Sequence, residues 1–467
     1  MNRQNVKYND TPERINREFS AFVSRNEATV SGKSLASFAF SLDKINLISV
    51  LNAVDEHYSD FLFYEKFEDN FSFIAINELI RLKFNGKLNS LSHTVSELND
   101  ELVHNWGDYN LHNPPFITGA IKFDSCRTSF EWQNFDSYHF FVPKILLLQK
   151  ETNFYLIYNF FLPEEDKIST LLNEFNKFIS SLFNNKFITD KNKKYVLEKN
   201  GSVKEEKKYW YDLVKKTAKK LDVNFKKVVL SRRIDLELKG KIDWDLCFKH
   251  LEDEFPKCYL FMLKSGDAIF FGASPENFIS IQNNKIEIDA IAGSASVESK
   301  NAETELMTSK NIKEHKYVID FITESLSKFA QNIKIDTIPQ IKKLKNVQHL
   351  HTKIYAELNS RNDIVNLIEA MFPTPAVCGL PKSNAIKTIR ETEDFDRGLF
   401  SGLTGWMDLE MNCQFAVAIR SALSFNKRLY LYAGAGIVED SIPEEEYDET
   451  EMKFNTILNL FDEVKTG

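Results

Sequence analysis

Strand-like segments in the second half of the chain constrain its fold most. KVVLSRRIDLEL begins at Lys227, and CYLFMLKSGDAIFFGASP and FISIQNNKIEIDAIAG follow it before residue 294. Their β-branched content and partial alternation of apolar and polar residues predict β-strands. SKNIKEHKYVIDFITESLSKFA, from Ser309, and the segment from about Pro443 to Val464 have helical spacing instead. This combination of strands and helices is typical of an α/β (α+β) fold.

The first part of the chain gives weaker signals. FAFSLDKINLISVL, YHFFVPKILLLQ and FYLIYNFFL predict strands or buried segments, but we find no motif with recognisable chemistry before residue 200. A charged stretch around that residue leads into a predicted helix near 203–220. We therefore divide the sequence into an N-terminal part, 1–200, and a second part, 201–467, which carries the candidate chemistry.

Composition and charge exclude several classes of function. The net charge is −8 and no long basic run alternates with aromatic residues, so nucleic acid is not an expected partner. The apolar runs are shorter than the roughly 20 residues that span a bilayer, and the polar N-terminus predicts no signal peptide. The five cysteines are odd in number and lack CxxC spacing, which favours free thiols in a reducing cytoplasm. With 43% apolar residues, the chain can bury one extensive core.

An acidic cluster begins the predicted C-terminal helix. At about 100° per residue, Glu446, Glu449 and Lys453 fall within one arc roughly 80° wide. The apolar stripe beside this arc consists of Tyr447, Phe454, Leu458 and Phe461. The charged residues therefore lie next to the side that faces the core. The alternative is an ordinary solvated face with an i,i+4 ion pair, which contributes about 0.2–0.5 kcal/mol.

A further carboxylate, Glu314, lies on the helix predicted from Ser309. It shares its direction with Val318 and Phe321, at the edge of the apolar stripe. A carboxylate near a core boundary must be paired or bind a cation. Oxygen ligands from two helices, without a thiolate or a histidine cluster, suit Mg²⁺ that also binds an anionic substrate. An ordinary salt bridge to a nearby lysine explains Glu314 equally well.

Three other charged residues, and two glycines, also allow a functional interpretation. A lysine before a strand, such as Lys227, is usually solvated, but in a closed site it can serve as a general base. Glu276 follows a Gly-Ala-Ser-Pro turn, where a carboxylate is more often a cap than a catalyst. Arg420 lies within the apolar run AVAIRSAL, and a buried arginine without an acidic partner in the sequence indicates an anionic ligand, in particular a carboxylate. Gly434 and Gly436 indicate a close approach of the backbone to another group.

Taken in order, ten segments of the sequence resemble the chorismate-utilising enzymes, and the isochorismate synthases among them in particular. These segments lie within about residues 205–465 and are KVVLSR, GASPE, IAGS, SKNIKEH, QHL, FPTPAVCGLPK, FDRGLFSGLTGW, AIRSAL, AGAGI and YDETEMK. The resemblance implies a single large chorismate-binding fold, in which extensive antiparallel β-sheets form a sandwich flanked by helices. It identifies residues 201–467 as the catalytic region.

The resemblance also implies a reaction, the Mg²⁺-dependent conversion of chorismate to isochorismate, in which water adds to the ring and a ring hydroxyl leaves. Lys227 would be the base that activates water, and Glu276 the acid that protonates the departing hydroxyl. Glu314 and Glu449 match the Mg²⁺ ligands, and Glu446 matches an acidic position beside the metal that holds a metal-bound water. The enzyme would be an isomerase.

Substrate-binding positions follow from the same resemblance. Arg420 matches the arginine that receives the enolpyruvyl carboxylate, and the backbone at Gly434 and Gly436 comes close to that same group. A Cβ at either glycine would keep the backbone amides from the carboxylate. The full set is Gly293, His349, Ala376, Phe400, Arg420, Gly434, Gly436 and Lys453.

A few positions separate this chain from other relatives. Anthranilate synthases carry glutamine where Lys227 stands, and aminodeoxychorismate synthases carry lysine where Ala292 stands. Salicylate synthases, which also eliminate pyruvate, usually carry Thr and Tyr in place of Ala376 and Phe400. These differences favour an isochorismate synthase that supplies menaquinone or siderophore biosynthesis. The alternatives are a salicylate synthase and an inactive protein that only binds chorismate or a partner.

The resemblance further implies a cytoplasmic monomer that acts on a small molecule and needs no glutamine amidotransferase subunit. The sequence departs from the relatives at two positions. Asn311 stands where many relatives have an acidic residue, three positions before the predicted ligand Glu314. His351 stands where relatives often have Ala or Gly, and nothing in the sequence explains it.

Overall fold

The computed structural model describes residues 12–26, 34–84, 86–163, 167–184, 196–199, 203–297, 304, 306–345, 347–461 and 463–466. The α-helices in these ranges are α1 Pro12–Asn26, α2 Leu51–His57, α3 Leu91–Glu101, α4 Ile168–Asn184, α5 Val203–Ala218, α6 Trp244–Glu254, α7 Ser309–Leu326, α8 Ile364–Met371, α9 Lys382–Thr392 and α10 Pro443–Leu458. In these same ranges, no helix is both long enough and apolar enough to cross a membrane.

The strands form one continuous network of pairings. They are β1 Leu35–Leu42, β2 Asp60–Lys66, β3 Phe71–Leu82, β4 Val103–His104, β5 Ile117–Ile121, β6 Tyr138–Lys150, β7 Asn153–Phe161, β8 Val196–Lys199, β9 Lys227–Lys239, β10 Tyr259–Ser265, β11 Ala268–Ser274, β12 Asn277–Gln282, β13 Lys285–Ser296, β14 Ala330–Ile335, β15 Gln340–Lys343, β16 Val347–Leu358, β17 Gly379–Leu380, β18 Leu403–Met407, β19 Cys413–Val417, β20 Ser421–Phe425, β21 Arg428–Ile437 and β22 Glu463–Thr466.

Strand β6 pairs with β3, β5 and β7, and two long branches of the sheet start from it, one through β3 and one through β5. One branch continues from β6 through β3, β2, β10, β11, β20 and β21 to β9. The other continues from the beginning of β6 through β5, β18, β19, β12 and β13 to β16. All of these pairings are antiparallel, which confirms the antiparallel sheets that the resemblance implied.

The alternation of side chains along β2 shows how the layers are arranged. Phe61 and Phe63 are buried in a core that also contains Phe248 of α6. Leu62 and Tyr64 point to the opposite face of the strand and belong to a second core, which includes residues of β12 and β13 from the other branch. Because successive side chains of a strand point to opposite faces, the sheet packs on helices on one side and on the other branch on its second side. The fold is the predicted sandwich flanked by helices.

The predicted elements agree with the structure except at the ends of two helices. The helix predicted from Ser309 through Ala330 ends at Leu326, because Ala330 begins β14 and pairs with Leu358 of β16. Helix α5 covers most of the helix predicted near 203–220, and α7 begins at the predicted Ser309. Helix α10, however, ends at Leu458 and not near Val464, because the chain turns there and places Phe461 in the same core as Phe454. The apolar pattern continues past the turn, so spacing alone predicted a helix that was too long.

Residue 200 does not separate two sheets. Strand β2 of the first part pairs with β10 of the second, with Lys66 opposite Tyr259. Strand β5 likewise pairs with β18, with Gly119 opposite Gly405. The N-terminal part therefore supplies strands to the interior of the same sheet that carries the second part.

Candidate active site

A pocket brings together most of the residues that the sequence singled out. It is lined from both branches, by residues of β9 and β21 on one side and of β13 and β16 on the other, and by α7 and α10. Eleven of the thirteen predicted site residues line it, namely Glu276, Gly293, Glu314, His349, Ala376, Phe400, Arg420, Gly434, Gly436, Glu449 and Lys453. The other two, Lys227 and Glu446, are not part of its lining.

Lys227 lies directly behind Glu314. Its side chain is 1% exposed, and its Nζ is 2.7 Å from Glu314 Oε1. A Cβ added at Gly436 would be 2.3 Å from that same Oε1 atom and 2.9 Å from Lys227 Cε. The absence of a side chain at Gly436 therefore makes room for the Lys227–Glu314 ion pair. The resemblance implied a different reason for this glycine, the approach of the backbone to a substrate carboxylate.

The C-terminal helix places Glu449 in the pocket beside Lys453. Lys453 Nζ donates to Glu449 Oε1 at 2.5 Å and to the carbonyl of Gly434 at 2.7 Å. Ser294 Oγ donates to the same carboxylate at 3.1 Å. Burial raises the pKa of Glu449, but the charge and hydrogen bond of Lys453 outweigh it and bring this pKa to about 2. Glu449 is therefore ionised at neutral pH.

Glu446 lies one turn earlier on α10 and is not among the residues that line the pocket. Its side chain is 1% exposed, and Oε1 is 2.6 Å from Nζ of Lys310 on α7. Burial raises the pKa of Glu446 to about 7, although Lys310 opposes that change. The sequence did not single out Lys310, even though it lies four residues before Glu314 and so shares a face of α7 with it.

Glu276 is a buried acid in the wall of the pocket. It stands between β11 and β12 and is 4% exposed. Burial, with a contribution from the negative charge of Asp289, raises the pKa of Glu276 to about 8, while Lys342, Lys227 and Lys453 lower it. At neutral pH this carboxyl is mostly protonated and can give up a proton, as a general acid must.

Arg420 and His349 form a hydrogen-bonded pair in the wall of the pocket. Arg420 Nη2 is 3.0 Å from His349 Nε2, and the other ring nitrogen, Nδ1, is 3.0 Å from the carbonyl of Gly293. A carbonyl only accepts, so Nδ1 carries the proton and Nε2 accepts from the arginine. Burial and the charge of Arg420 lower the pKa of His349 to about 3, which keeps the imidazole neutral.

Arg420 is the least satisfied charged group of the pocket. It is 5% exposed, and its Nε and Nη1 have no hydrogen-bond partner among the residues described. Burial lowers the pKa of Arg420 to about 10, so it remains charged at neutral pH. Its backbone is left-handed, with φ 52°, a conformation that non-glycine residues rarely adopt outside turns and functional sites. These features suit an anionic ligand.

Comparison with known sequences places this arrangement in a family. The family described as chorismate binding enzyme matches residues 21–462. The chain belongs to this family. The match includes most of the N-terminal part as well as the pocket, in agreement with the strand pairings that join the two.

Individual relatives in the family are isochorismate synthases by name. Isochorismate synthase MenF of Bacillus subtilis is 30% identical over 353 residues, which are 74% of each chain. The salicylate biosynthesis isochorismate synthase of Pseudomonas aeruginosa is 38% identical over 239 residues, which are 50% of each chain. The structure of the menaquinone-specific isochorismate synthase MenF from Escherichia coli matches with a TM-score of 0.76 at 20% identity, over 96% of this chain and 99% of that one. This last likeness shows the fold.

The structure adds pocket residues of this chorismate-binding enzyme that the sequence did not reveal. Tyr432 lines the pocket, and its buried hydroxyl has no partner within the described ranges. Phe400 stacks on it, with ring centroids 5.2 Å apart and planes at 18°. Tyr432 precedes Gly434 and Gly436 at intervals of two residues along β21, and this period was a signal that it faces the same side. Ser294, within the matched IAGS segment, likewise connects Glu449 to His349.

The three predicted metal ligands fit Mg²⁺ by their chemistry. Glu314, Glu446 and Glu449 offer only carboxylate oxygens, which are the donors that Mg²⁺ prefers. Each of them is bound to a lysine, and no group of three or more Asp, Glu, His or Cys side chains converges as a metal site in the described part of the chain. A buried carboxyl such as Glu446 would be stabilised in its charged form by a nearby cation. These glutamates would have to exchange lysine for metal when they bind it.

Proposed function

We propose that this protein is an isochorismate synthase, which converts chorismate to isochorismate by adding water to the ring while the ring hydroxyl leaves. One observation carries the proposal, namely a protonated buried acid, Glu276, in the same pocket as a buried arginine with two unused nitrogen donors, Arg420. A substrate that has both a carboxylate and a poor leaving group requires these two groups together. Chorismate is a substrate of this kind.

Glu276 is assigned the role of general acid. Hydroxide is a poor leaving group, so the departing ring hydroxyl needs a proton. Because the pKa of Glu276 is raised to about 8, the carboxyl holds that proton at neutral pH. Glu276 lines the pocket and can reach the substrate directly.

Lys227 is assigned the role of general base toward the attacking water. In the structure its ammonium is bound to Glu314 and covered by it. The pair therefore has to separate, and the ammonium has to lose a proton to solvent, before Lys227 as a free amine accepts a proton from the attacking water. A lysine at this position also supports water as the nucleophile. Relatives that use ammonia carry glutamine there, because ammonia needs no base to become a nucleophile.

Arg420 is assigned to the enolpyruvyl carboxylate. Its Nε and Nη1 have hydrogens that are free to donate to a carboxylate, and such charge-assisted hydrogen bonds are the stronger ones. His349 accepts from Nη2, and its own Nδ1–H is bound to Gly293, so the imidazole holds the guanidinium in one orientation. The ligand would supply an anion in hydrogen-bond contact with Nε or Nη1, which have no partner among the described residues.

Mg²⁺ is the proposed cofactor. Glu314 and Glu449, with Glu446 beside them, would hold it, and when bound it would neutralise the ring carboxylate of the substrate. Lys453, which is bound to Glu449, would then be available to contact the same carboxylate. Buried carboxylates have to be paired or to bind a cation. Three of them lie in or beside a pocket that would also hold an anionic substrate, and this supports a cation between them.

Ala376 and Phe400 are assigned to the choice of product. Both line the pocket, and neither supplies a hydroxyl. Relatives that also eliminate pyruvate usually have hydroxyls at these positions, so we propose that isochorismate is released without elimination. The competing function is salicylate synthase, which would form pyruvate from the same substrate.

Purified protein, chorismate and Mg²⁺ test the proposal directly. Isochorismate is measured by chromatography and pyruvate by coupled lactate dehydrogenase. We expect isochorismate with little pyruvate, from this chain alone and without an amidotransferase subunit. Glu276→Gln removes the proton and should abolish the product, whereas Glu287→Gln, which changes a half-exposed carboxylate on β13, serves as the matched control. Stoichiometric pyruvate would instead indicate a salicylate synthase, and no turnover would indicate a binding protein.

The product is proposed to enter menaquinone or siderophore biosynthesis, in a cytoplasmic pathway. Deletion of the gene in its own organism distinguishes the two routes. Loss of menaquinone that is restored by the wild-type gene assigns the first route, and loss of a catechol siderophore with normal menaquinone assigns the second.

A further inference from the structure

Three polar side chains, two of them charged, form a cluster behind Glu276, and we call it the rear cluster. It consists of Asp289 on β13, Lys342 on β15 and His351 on β16. His351 Nε2 is 2.8 Å from Asp289 Oδ1, and Lys342 Nζ is 3.4 Å from Asp289 Oδ2. Their side chains are between 6% and 13% exposed, and none of the three lines the pocket. The rear cluster is thus a nearly buried network outside the site described above.

The rear cluster holds the backbone on both sides of Glu276. Lys342 Nζ donates to the carbonyl of Pro275 at 2.5 Å, immediately before Glu276. Asp289 Oδ2 accepts from the backbone N–H of Asn277 at 3.3 Å, immediately after it. A segment held at both neighbouring peptide groups has little freedom to rotate, so these two contacts fix the direction in which the Glu276 side chain leaves the backbone.

Charge is the second way in which the rear cluster affects Glu276. The charged groups that act on this carboxyl are Asp289 and Lys342 from the cluster, Lys227 at the start of β9 and Lys453 from α10. Arg420, in the strand-connecting segment before β20, also interacts with it. Asp289 supplies the negative charge that opposes ionisation of Glu276, and the cations favour ionisation. Asp289 and Lys342 therefore act on the proton of Glu276 in opposite directions.

We propose that Asp289 is a positioning residue for the general acid, with Lys342 and His351 as its supports, and that the rear cluster both orients Glu276 and keeps it protonated. The proposal rests on the proposed function, in which Glu276 protonates the leaving hydroxyl. It also gives a reason for His351, where relatives often have Ala or Gly, because the imidazole holds the Asp289 carboxylate in place.

The alternative is that the contacts among Asp289, Lys342 and His351 only stabilise the sheet and have no effect on Glu276. A purely structural cluster would change protein stability when altered but would not move the pH dependence of the chemical step. The fall of kcat at high pH, which we call the alkaline limb of its pH profile, separates these possibilities. Glu276 is active when protonated, so activity is lost as pH rises through its pKa. Asp289→Asn removes the negative charge and should move this limb to lower pH by about one unit. Lys342→Met removes a positive charge and should move it to higher pH.

Glu287→Gln is the matched control for both variants. Glu287 lies two residues before Asp289 on the same strand, and it pairs with Lys353 at a half-exposed position. We expect its alkaline limb to coincide with that of the wild type. His351→Ala should reduce kcat several-fold with little change in KM, and His351→Gln should restore part of the loss, since glutamine can still donate to Asp289.

The two opposite displacements test the proposal even if one variant folds poorly. Lys342 is the most exposed of the three side chains, so Lys342→Met provides a measurement should Asp289→Asn be unstable. An alkaline limb that stays at the wild-type pH in either variant would overturn the proposal. If the wild type makes isochorismate and Glu276→Gln is inactive, such a result rejects the rear cluster alone. If the wild type makes no isochorismate, the proposed function itself is rejected.

Discussion

The pocket and the layer directly behind it contain two kinds of buried charge, three glutamate–lysine pairs and one arginine whose hydrogen bond goes to a neutral histidine. Glu314, Glu446 and Glu449 are each bound to a lysine, from β9, α7 and α10 respectively. Arg420 contacts His349 and has two nitrogens without a partner in the described chain. Ser294 Oγ lies within hydrogen-bond distance of both groups, since it contacts Glu449 and His349. Glutamates that are paired with lysine and an arginine without a hydrogen-bonded anion are therefore close neighbours in this part of the molecule.

The difference indicates what each group requires from a ligand. A buried ion pair that loses one partner leaves a charge uncompensated, which costs about 3–5 kcal/mol. The glutamate–lysine pairs are satisfied within the protein, so a metal or substrate has to replace a lysine there. Arg420 is influenced by the negative charge of Glu449, but its Nε and Nη1 have no hydrogen-bonded anion among the described residues, so a carboxylate ligand there would offset its desolvation cost. Stability and catalysis should consequently respond in different ways to mutations in the two groups.

The largest expected effect comes from breaking the most buried of the three glutamate–lysine pairs, Lys227 with Glu314. Lys227→Met removes the proposed base and leaves Glu314 without its partner. We expect turnover to fall about 10²–10⁴-fold and the free energy of unfolding to fall by about 3 kcal/mol. Initial rates and denaturant unfolding measure the two effects. The double variant Lys227→Met with Glu314→Gln should recover stability but not activity, and full turnover by Lys227→Met would remove the base assignment.

Arg420→Met should show the opposite combination. The substitution keeps much of the side-chain volume but removes a buried charge whose Nε and Nη1 have no hydrogen-bond partner in the described ranges, so stability should be unchanged or higher. Loss of a charged carboxylate contact should lower kcat/KM about 10²–10³-fold. Thermal unfolding and chorismate titration provide the measurements. A marked loss of stability together with normal kcat/KM would show that Arg420 belongs with the structural ion pairs.

Glu449→Gln and Glu314→Gln test the proposed exchange of lysine for metal. Each substitution keeps the shape of the side chain but removes charge from a hard-cation site, so the Mg²⁺ concentration for half-maximal rate should rise about tenfold or more. Glu445→Gln changes an exposed glutamate in the first turn of α10 and is the matched control. If either pocket variant has the Mg²⁺ titration of the wild type, that glutamate is only a salt-bridge partner.

The smallest expected effect concerns the choice of product near Arg420. Ala376→Thr with Phe400→Tyr introduces two hydroxyls into the pocket wall, where they can hydrogen-bond the enolpyruvyl group and favour its elimination. We expect the pyruvate fraction to rise a few-fold over a wild type that forms little pyruvate. Coupled lactate dehydrogenase and chromatography measure the partition. An unchanged partition would leave the product assignment intact but would remove its proposed cause.

The sequence determined the elements that local patterns encode. The spacing of apolar residues predicted α7 and α10, although both predicted helices were too long. β-Branched runs predicted β9 to β13. These predictions succeed because helix and strand periods are properties of neighbouring residues. The acidic arc of α10 was also visible, since Glu446, Glu449 and Lys453 lie within two turns of one helix. The end of α10 was not, because the turn after Leu458 is set by where Phe461 packs.

Only the tertiary structure decided which charges meet. The sequence places Lys227 and Glu314 far apart, and nothing local shows that the lysine lies behind the glutamate or that Gly436 makes room for the pair. Likewise, His351 had no explanation until the pairing of β13 with β16 placed it against Asp289. A sequence shows which residue types are available and which face of an element they share. Contacts between elements depend on the register and packing of the two sheet branches, and local sequence does not contain that information.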